Sequence, residues 1–292
     1  MKPPSLTQAL SDLPAPLPEK LRLLRSVAET GCAAAVLEKW TALQPEVVSG
    51  PDWMSRAWWG LAAGELVREY LFDRSRRAEA IELIDDFSCG AQIDDARRHG
   101  GVILVAAHVG PPKLLMNFLL DRFVPLLVWT NTADMPSWLQ GATLARFANP
   151  CQPDERAALL VRTSLHLKRG GVVLAAADWP TGARTEARKF GSTEVRMSLG
   201  IPALSKRVGV PCFLVMALWR GDRVAITGTR LLDPCASISD EEWNQKWVDC
   251  YWQAVHKAML AGPENIRMLR AVANGSLLSK VGAGGLVRSE SA

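Results

Sequence analysis

Short apolar runs separated by helix-length segments constrain this chain more than any other feature. The runs lie at 102–107, 124–129, 172–177, 212–218 and 224–227, and they are rich in Val, Leu and Ala and continuous rather than alternating. That pattern belongs to strands buried on both faces. Between them, residues 113–121, 137–148, 154–168 and 197–208 have the composition and spacing of helices. Strands alternating with helices need crossover connections, so the order predicts an α/β fold with a largely parallel central sheet flanked by helices. The last two runs are joined by Arg220-Gly221-Asp222-Arg223, which suits an antiparallel hairpin at a sheet edge.

The region before this alternation reads differently. Pro3, Pro4, Pro14, Pro16 and Pro18 block a regular helix until about Glu19. Leu21, Leu24, Val27, Ala28, Val36 and Leu37 then recur at helical spacing and predict a helix over 20–43, with Gly31 a possible interruption. After Gly50-Pro51, residues 53–72 and 76–98 also read as helices. The organisation expected is a mainly helical N-terminal region, 1–99, packing on an α/β core, 100–275, with a Gly- and Ser-rich flexible tail, 276–292. A last helix is expected over 239–260, with Ser239 as N-cap and Glu242 completing a capping box.

Composition removes several functions. A chain of 292 residues with 48% apolar and 22% charged residues builds a sizeable core. The net charge of +4 comes from 34 basic residues interspersed with 30 acidic ones, so nothing demands a nucleic-acid partner. Acidic small molecules, anionic headgroups or an acidic carrier protein stay compatible. The six cysteines are widely spaced, with no C-x-x-C pair, and read as reduced thiols in a cytosolic chain. No apolar segment reaches the ~18–20 residues that span a bilayer. The helix expected at 56–72 carries Trp58, Trp59, Leu61, Leu66, Leu71 and Phe72, a stripe that suits peripheral contact with a membrane surface but more often faces a core or a dimer partner. No Gly-x-Ser-x-Gly elbow, phosphate-cradling loop or zinc-ligand spacing is present, and no metal is expected. Nothing around Cys151 activates it as a nucleophile.

Residues 101–113, GVILVAAHVGPPK, place a histidine where a buried strand ends. Gly110 permits a tight turn, and Pro111 and Pro112 fit the first turn of a following helix, where a missing N–H costs nothing. Ligands of open α/β sheets bind outside the carboxyl ends of the strands, so His108 stands at the mouth of such a crevice. A lone histidine there more often caps the strand and bonds a neighbouring backbone group. His99, His166 and His256 fall in helices and carry less. Asp178 follows the run at 172–177, where a carboxylate can orient a base or cap a turn, and Trp179-Pro180-Thr181-Gly182 follow it.

In order, GVILVAAHVGPPK, VPLLVWTN, LKRGGVVLAAADW, KFGSTEV and SLGIPALSKRVGVPCFLV resemble the bacterial lipid A late acyltransferases of the lysophospholipid acyltransferase-like superfamily. AGPENIRMLRAV resembles a degraded form of that family's Pro-Glu-Gln-Trp segment, and the resemblance covers about residues 60–270. It implies a glycerolipid acyltransferase-like fold. It also implies transfer of an acyl group from a thioester, on an acyl carrier protein or acyl-CoA, to a hydroxyl or amine of a lipid-like or soluble biosynthetic intermediate. The thioester is a co-substrate, and no cofactor is expected.

His108 corresponds to the family's catalytic base; an imidazole, with a pKa near 6.5, can take the acceptor's proton and pass it to the leaving thiolate. The family places a carboxylate five residues later, where this chain has Lys113. Another acid, Asp178 or Asp134, stands in for it in space; or Lys113 pairs with a phosphate or carboxylate of an unusual substrate; or acyl transfer has been lost and the chain is a binding or partner subunit. The resemblance makes Lys113, Trp129, Asn131, Arg146, Trp179, Lys189, Phe190 and Gly191 candidates for substrate binding, Lys189-Phe190-Gly191 matching a Phe-Phe-Gly segment. Thr130 stands where the family commonly has an arginine. Backbone N–H groups after Gly110 are candidates for an oxyanion hole. Family members carry an N-terminal membrane anchor where this chain has a proline-rich polar segment, so the expected location is cytoplasmic, or peripheral at the inner face of the inner membrane.

Overall fold

A computed structural model describes residues 6–32, 51–123, 126–129, 147–148, 156–178, 184–190 and 193–266. The chain opens with α1 (Leu6–Ser11), α2 (Leu17–Val27), a π turn (Ala28–Cys32), α3 (Pro51–Phe72) and α4 (Arg77–Ile81). Then come β1 (Ile84–Phe87), α5 (Gly90–His99), β2 (Val102–Ala106), α6 (Pro112–Arg122), β3 (Leu126–Trp129), β4 (Phe147–Ala148), α7 (Arg156–Lys168) and β5 (Val172–Ala176). The remaining elements are β6 (Thr185–Phe190), β7 (Thr193–Ser198), α8 (Gly200–Val208), β8 (Cys212–Arg220), β9 (Arg223–Arg230), α9 (Asp240–Ala261) and a 3-10 turn (Pro263–Asn265).

The central sheet has seven strands in the order β1-β9-β8-β2-β5-β3-β4. From β8 to β4 every neighbour is parallel, while β9 runs antiparallel to β8 and β1 parallel to β9. The fold is therefore α/β with a mostly parallel sheet. Alternate residues of the buried strands feed two apolar layers. Leu104, Leu174 and Val215 pack with α2, α3 and α6 on one face; Val105, Val173 and Leu214 pack with α8 and α9 on the other. Trp59, Leu66 and Leu71 of α3 are buried in the first layer, so that aromatic stripe is core. Among the described residues no helix is long and apolar enough to cross a membrane.

Several expected boundaries move. The helix expected at 76–98 is interrupted by β1, whose Ile84, Asp86 and Phe87 align with Val224, Ala225 and Ile226 of β9. Consequently the β8–β9 hairpin is not at the edge: β1 covers one side of it and β2 the other. Residues 197–198, expected to begin a helix, end β7 instead, which pairs with β6 as a separate two-stranded antiparallel sheet. Phe147 and Ala148, expected in a helix, form β4; the rest of 137–148 lies outside the described residues. A short helix, α1, fits between Pro4 and Pro14, and α2 begins at Leu17 with Pro18 in its first turn, so the prolines permit helix earlier than Glu19. Ser239 caps α9 by accepting the Glu242 N–H at 3.1 Å, whereas the Glu242 carboxylate turns to Lys246 at 2.7 Å and leaves the capping box half made.

Candidate active site

The connections leaving β2 and β5, adjacent strands at the centre of the sheet, go to opposite faces. After β2 the chain turns into α6 on one layer, and after β5 it leads through β6 and β7 to α8 on the other. Such divergence opens a crevice beyond the strand ends. His108 leaves β2 there, and Asp178 leaves β5.

The two residues meet. The Asp178 carboxylate accepts the His108 backbone N–H at 2.6 Å through Oδ2 and contacts ring Nδ1 at 2.7 Å through Oδ1. The carboxylate side chain is 2% exposed and the imidazole 37%. An ionised carboxylate only accepts, so the contact places the proton of a neutral ring on Nδ1 and leaves Nε2 as the basic nitrogen. Burying the carboxylate is tolerable because both of its oxygens are met by N–H groups. Sequence reading offered Asp178 as one substitute for the acid missing at Lys113, and the geometry makes that pairing; Asp134 lies outside the described residues.

The histidine loop is held by backbone contacts as well. Gly110 has φ +53°, and a Cβ there would stand 2.0 Å from the Ala217 carbonyl oxygen of β8. Only glycine suits that approach. The Gly110 N–H donates to the Asn265 carbonyl at 2.8 Å, while the Asn265 side chain accepts the Trp219 N–H at 2.7 Å. Asn265 is thus a buried clamp between the histidine loop and β8. The same turn presses on α3, where a Cβ on Gly60 would stand 2.0 Å from the Glu264 carbonyl oxygen, and Arg56 pairs with the Glu264 carboxylate at 2.9 Å. Below the pair, the Tyr251 hydroxyl donates to the Ala106 carbonyl at 3.4 Å. Burial, reinforced by the nearby Asp178 charge, pushes that phenol well above its usual range, so it stays a neutral donor.

Asn265 and Tyr251 were not singled out from sequence as site residues. The resemblance had marked the Pro263–Asn265 segment, which was the available signal for Asn265. Tyr251 lies among Trp247, Trp252 and Val255, apolar residues at helical spacing, where a hydroxyl carries no distinguishing mark.

Several of the backbone N–H groups expected as oxyanion donors around Gly110 are otherwise engaged. Gly110 bonds to Asn265, Pro111 and Pro112 have no N–H, and Leu114 and Leu115 donate to the Pro111 carbonyl. Lys113 is partly buried in the first turn of α6. Trp129 donates its indole N–H to Thr163 of α7 at 3.2 Å. Lys189 is exposed on β6, and its neighbour Phe190 is buried edge-on against the His256 ring at 5.5 Å between centroids. Asn131, Arg146, Trp179 and Gly191 lie outside the described residues. Among the described residues no group of His, Cys, Asp and Glu side chains could hold a metal ion. The Cys89 and Cys212 thiols are pushed up to about 11 by burial, which suits packing and not nucleophilic chemistry.

No family model matches the chain. Among curated proteins, the chain is 23% identical over 229 residues to the Vi polysaccharide export protein VexE of Salmonella typhi, a match covering 74% of this chain. The match spans 33% of that relative's length, so the likeness is to a part of it.

Proposed function

We propose that the chain is an acyltransferase that moves an acyl group from a thioester, carried by acyl carrier protein or coenzyme A, to a hydroxyl or amine, with His108 as general base. The observation that carries this reading is the Asp178 carboxylate on His108 Nδ1 at 2.7 Å, with the ring itself partly exposed. In the reaction, Nε2 takes the proton of the acceptor hydroxyl as its oxygen attacks the thioester carbon. The carbon–sulfur bond then breaks, and the imidazolium returns the proton to the departing thiolate. Asp178 holds the ring orientation and offsets the imidazolium charge, the task such a carboxylate performs beside a catalytic histidine. With Asp178 there, no acid is needed at position 113.

The acceptor is a lipid-like or soluble intermediate. Since VexE is named for export of a polysaccharide, sugar hydroxyls and amines are the acceptors to try first. The test is intact mass spectrometry of saccharide and glycolipid acceptors after incubation with a panel of acyl-carrier and acyl-CoA thioesters. A mass gain of one acyl group with the wild type, lost with His108→Ala, supports the reading. Equal gains with both proteins, or none with any donor, would overturn it in favour of a binding or partner subunit.

A further inference from the structure

A cavity of about 430 Å³ opens where the approach to β6, α8 and the first turn of α9 meet, away from the His108 loop. Its wall presents Arg184, Lys206 and Arg207, with Asp240 as the carboxylate among the lining residues. Lys206 is fixed in place, its ammonium donating to Asp240 Oδ1 at 2.6 Å and to the Ile238 carbonyl at 2.7 Å. The Asp240 carboxyl is held below its usual range, first by Lys206 and further by Arg184, so both cations converge on it. Three cations against one carboxylate leave an excess of positive charge inside a volume suited to a small-molecule headgroup. Asn244 also lines the cavity and is buried. The first turn of α9 is already answered by Asp240, Glu241 and Glu242, so an anion here would be met by side-chain cations and not by the helix terminus.

Backbone bonds tie this cavity to the candidate active site. Ser198 N–H donates to the Ala177 carbonyl at 2.8 Å, one residue before Asp178, and Leu199 N–H donates to the Arg184 carbonyl at 3.1 Å. We propose that the cavity binds a phosphate group of the thioester donor, seated on Arg184, Lys206 and Arg207 while the acyl end reaches His108. Guanidinium groups match phosphate oxygens in paired hydrogen bonds, which favours phosphate over a diffuse acidic surface. The identity of the ligand as the donor rests on the acyl-transfer reading; the phosphate binding does not. The same chemistry is offered by the nucleotide phosphates of coenzyme A and by the phosphodiester that joins a pantetheine arm to a carrier protein.

The test is calorimetric titration of the full chain at low salt with coenzyme A, with carrier protein bearing its arm and with the same carrier lacking it, using wild type, His108→Ala and the double variant Arg184→Gln/Arg207→Gln. Both arginines are exposed, so the double variant should melt with the wild type. The expected result is binding of coenzyme A or of the armed carrier that the double variant weakens on the order of tenfold or more and that His108→Ala leaves unchanged; which probe responds identifies the source of the phosphate. Equal affinities of wild type and double variant, equal binding of the two carrier forms without binding of coenzyme A, or no binding of any probe would overturn the proposal. Arginine-dependent binding without acyl transfer would sink the acyltransferase reading and leave the phosphate site standing.

Discussion

The crevice at the ends of β2 and β5 and the cavity between α8 and α9 both set a carboxylate against nitrogen donors, but in opposite ways. Asp178 is buried, and both of its oxygens are taken by one residue, so the pair is a fixed device whose geometry decides what it does. Asp240 is exposed, shared between cations, and open to salt. A buried carboxylate whose partner is removed keeps its desolvation cost, whereas a surface pair loses little, since exposed pairs contribute about 0–1 kcal/mol. The first arrangement therefore suits proton transfer, which needs one orientation, and the second suits capture of an anion, which needs only potential.

Breaking that contrast gives a graded series. Removing the base with His108→Ala should have the largest effect, a fall in acyl transfer of about 10²–10⁴-fold without loss of donor binding, measured by single-turnover kinetics and titration. Cutting the clamp should come next. Asn265→Ala strands the buried Trp219 N–H, and the expected cost is about 1–3 kcal/mol of stability in urea melts, with a lower turnover as the His108 loop loosens. Asn265→Asp keeps an acceptor for Trp219 and should recover much of the loss. Placing an acid where the resembling family has it, Lys113→Glu, should change transfer by less than about tenfold, because Nδ1 of His108 is already committed to Asp178. A large gain from Lys113→Glu would mean that the pair works poorly as it stands.

How far these features could be read from the chain follows from where the information sits. The buried strands β2, β5 and β8 were legible because a continuous apolar run has few other places to go, and α9 because Ser239 marks its start. β1 was not legible. Ile84-Asp85-Asp86-Phe87 is half-exposed and carries two carboxylates, and it is a strand only because β9, far along the chain, offers it a partner. The β6–β7 arm was hidden as well, because Arg and Glu along both strands leave no apolar run to mark it. In the site, His108 and Asp178 were each recognisable at a strand end. Their contact spans 70 residues of sequence, so no local spacing announces it; the family pattern pointed to Lys113, and the adjacency of β2 and β5 brings Asp178 to the ring instead. Asn265 works through its backbone as much as its side chain, which no residue type discloses.

The central claim is that Asp178 does for His108 what a neighbouring acid does elsewhere. Asp178→Asn tests it most directly, since the amide is nearly the same shape but its single oxygen can accept from the His108 backbone N–H or from ring Nδ1 and not from both, and it carries no charge to offset the imidazolium. With the donor and acceptor that the wild type uses, the account predicts at least about a 10²-fold fall in turnover with little change in KM. Turnover within about threefold of the wild type would contradict it.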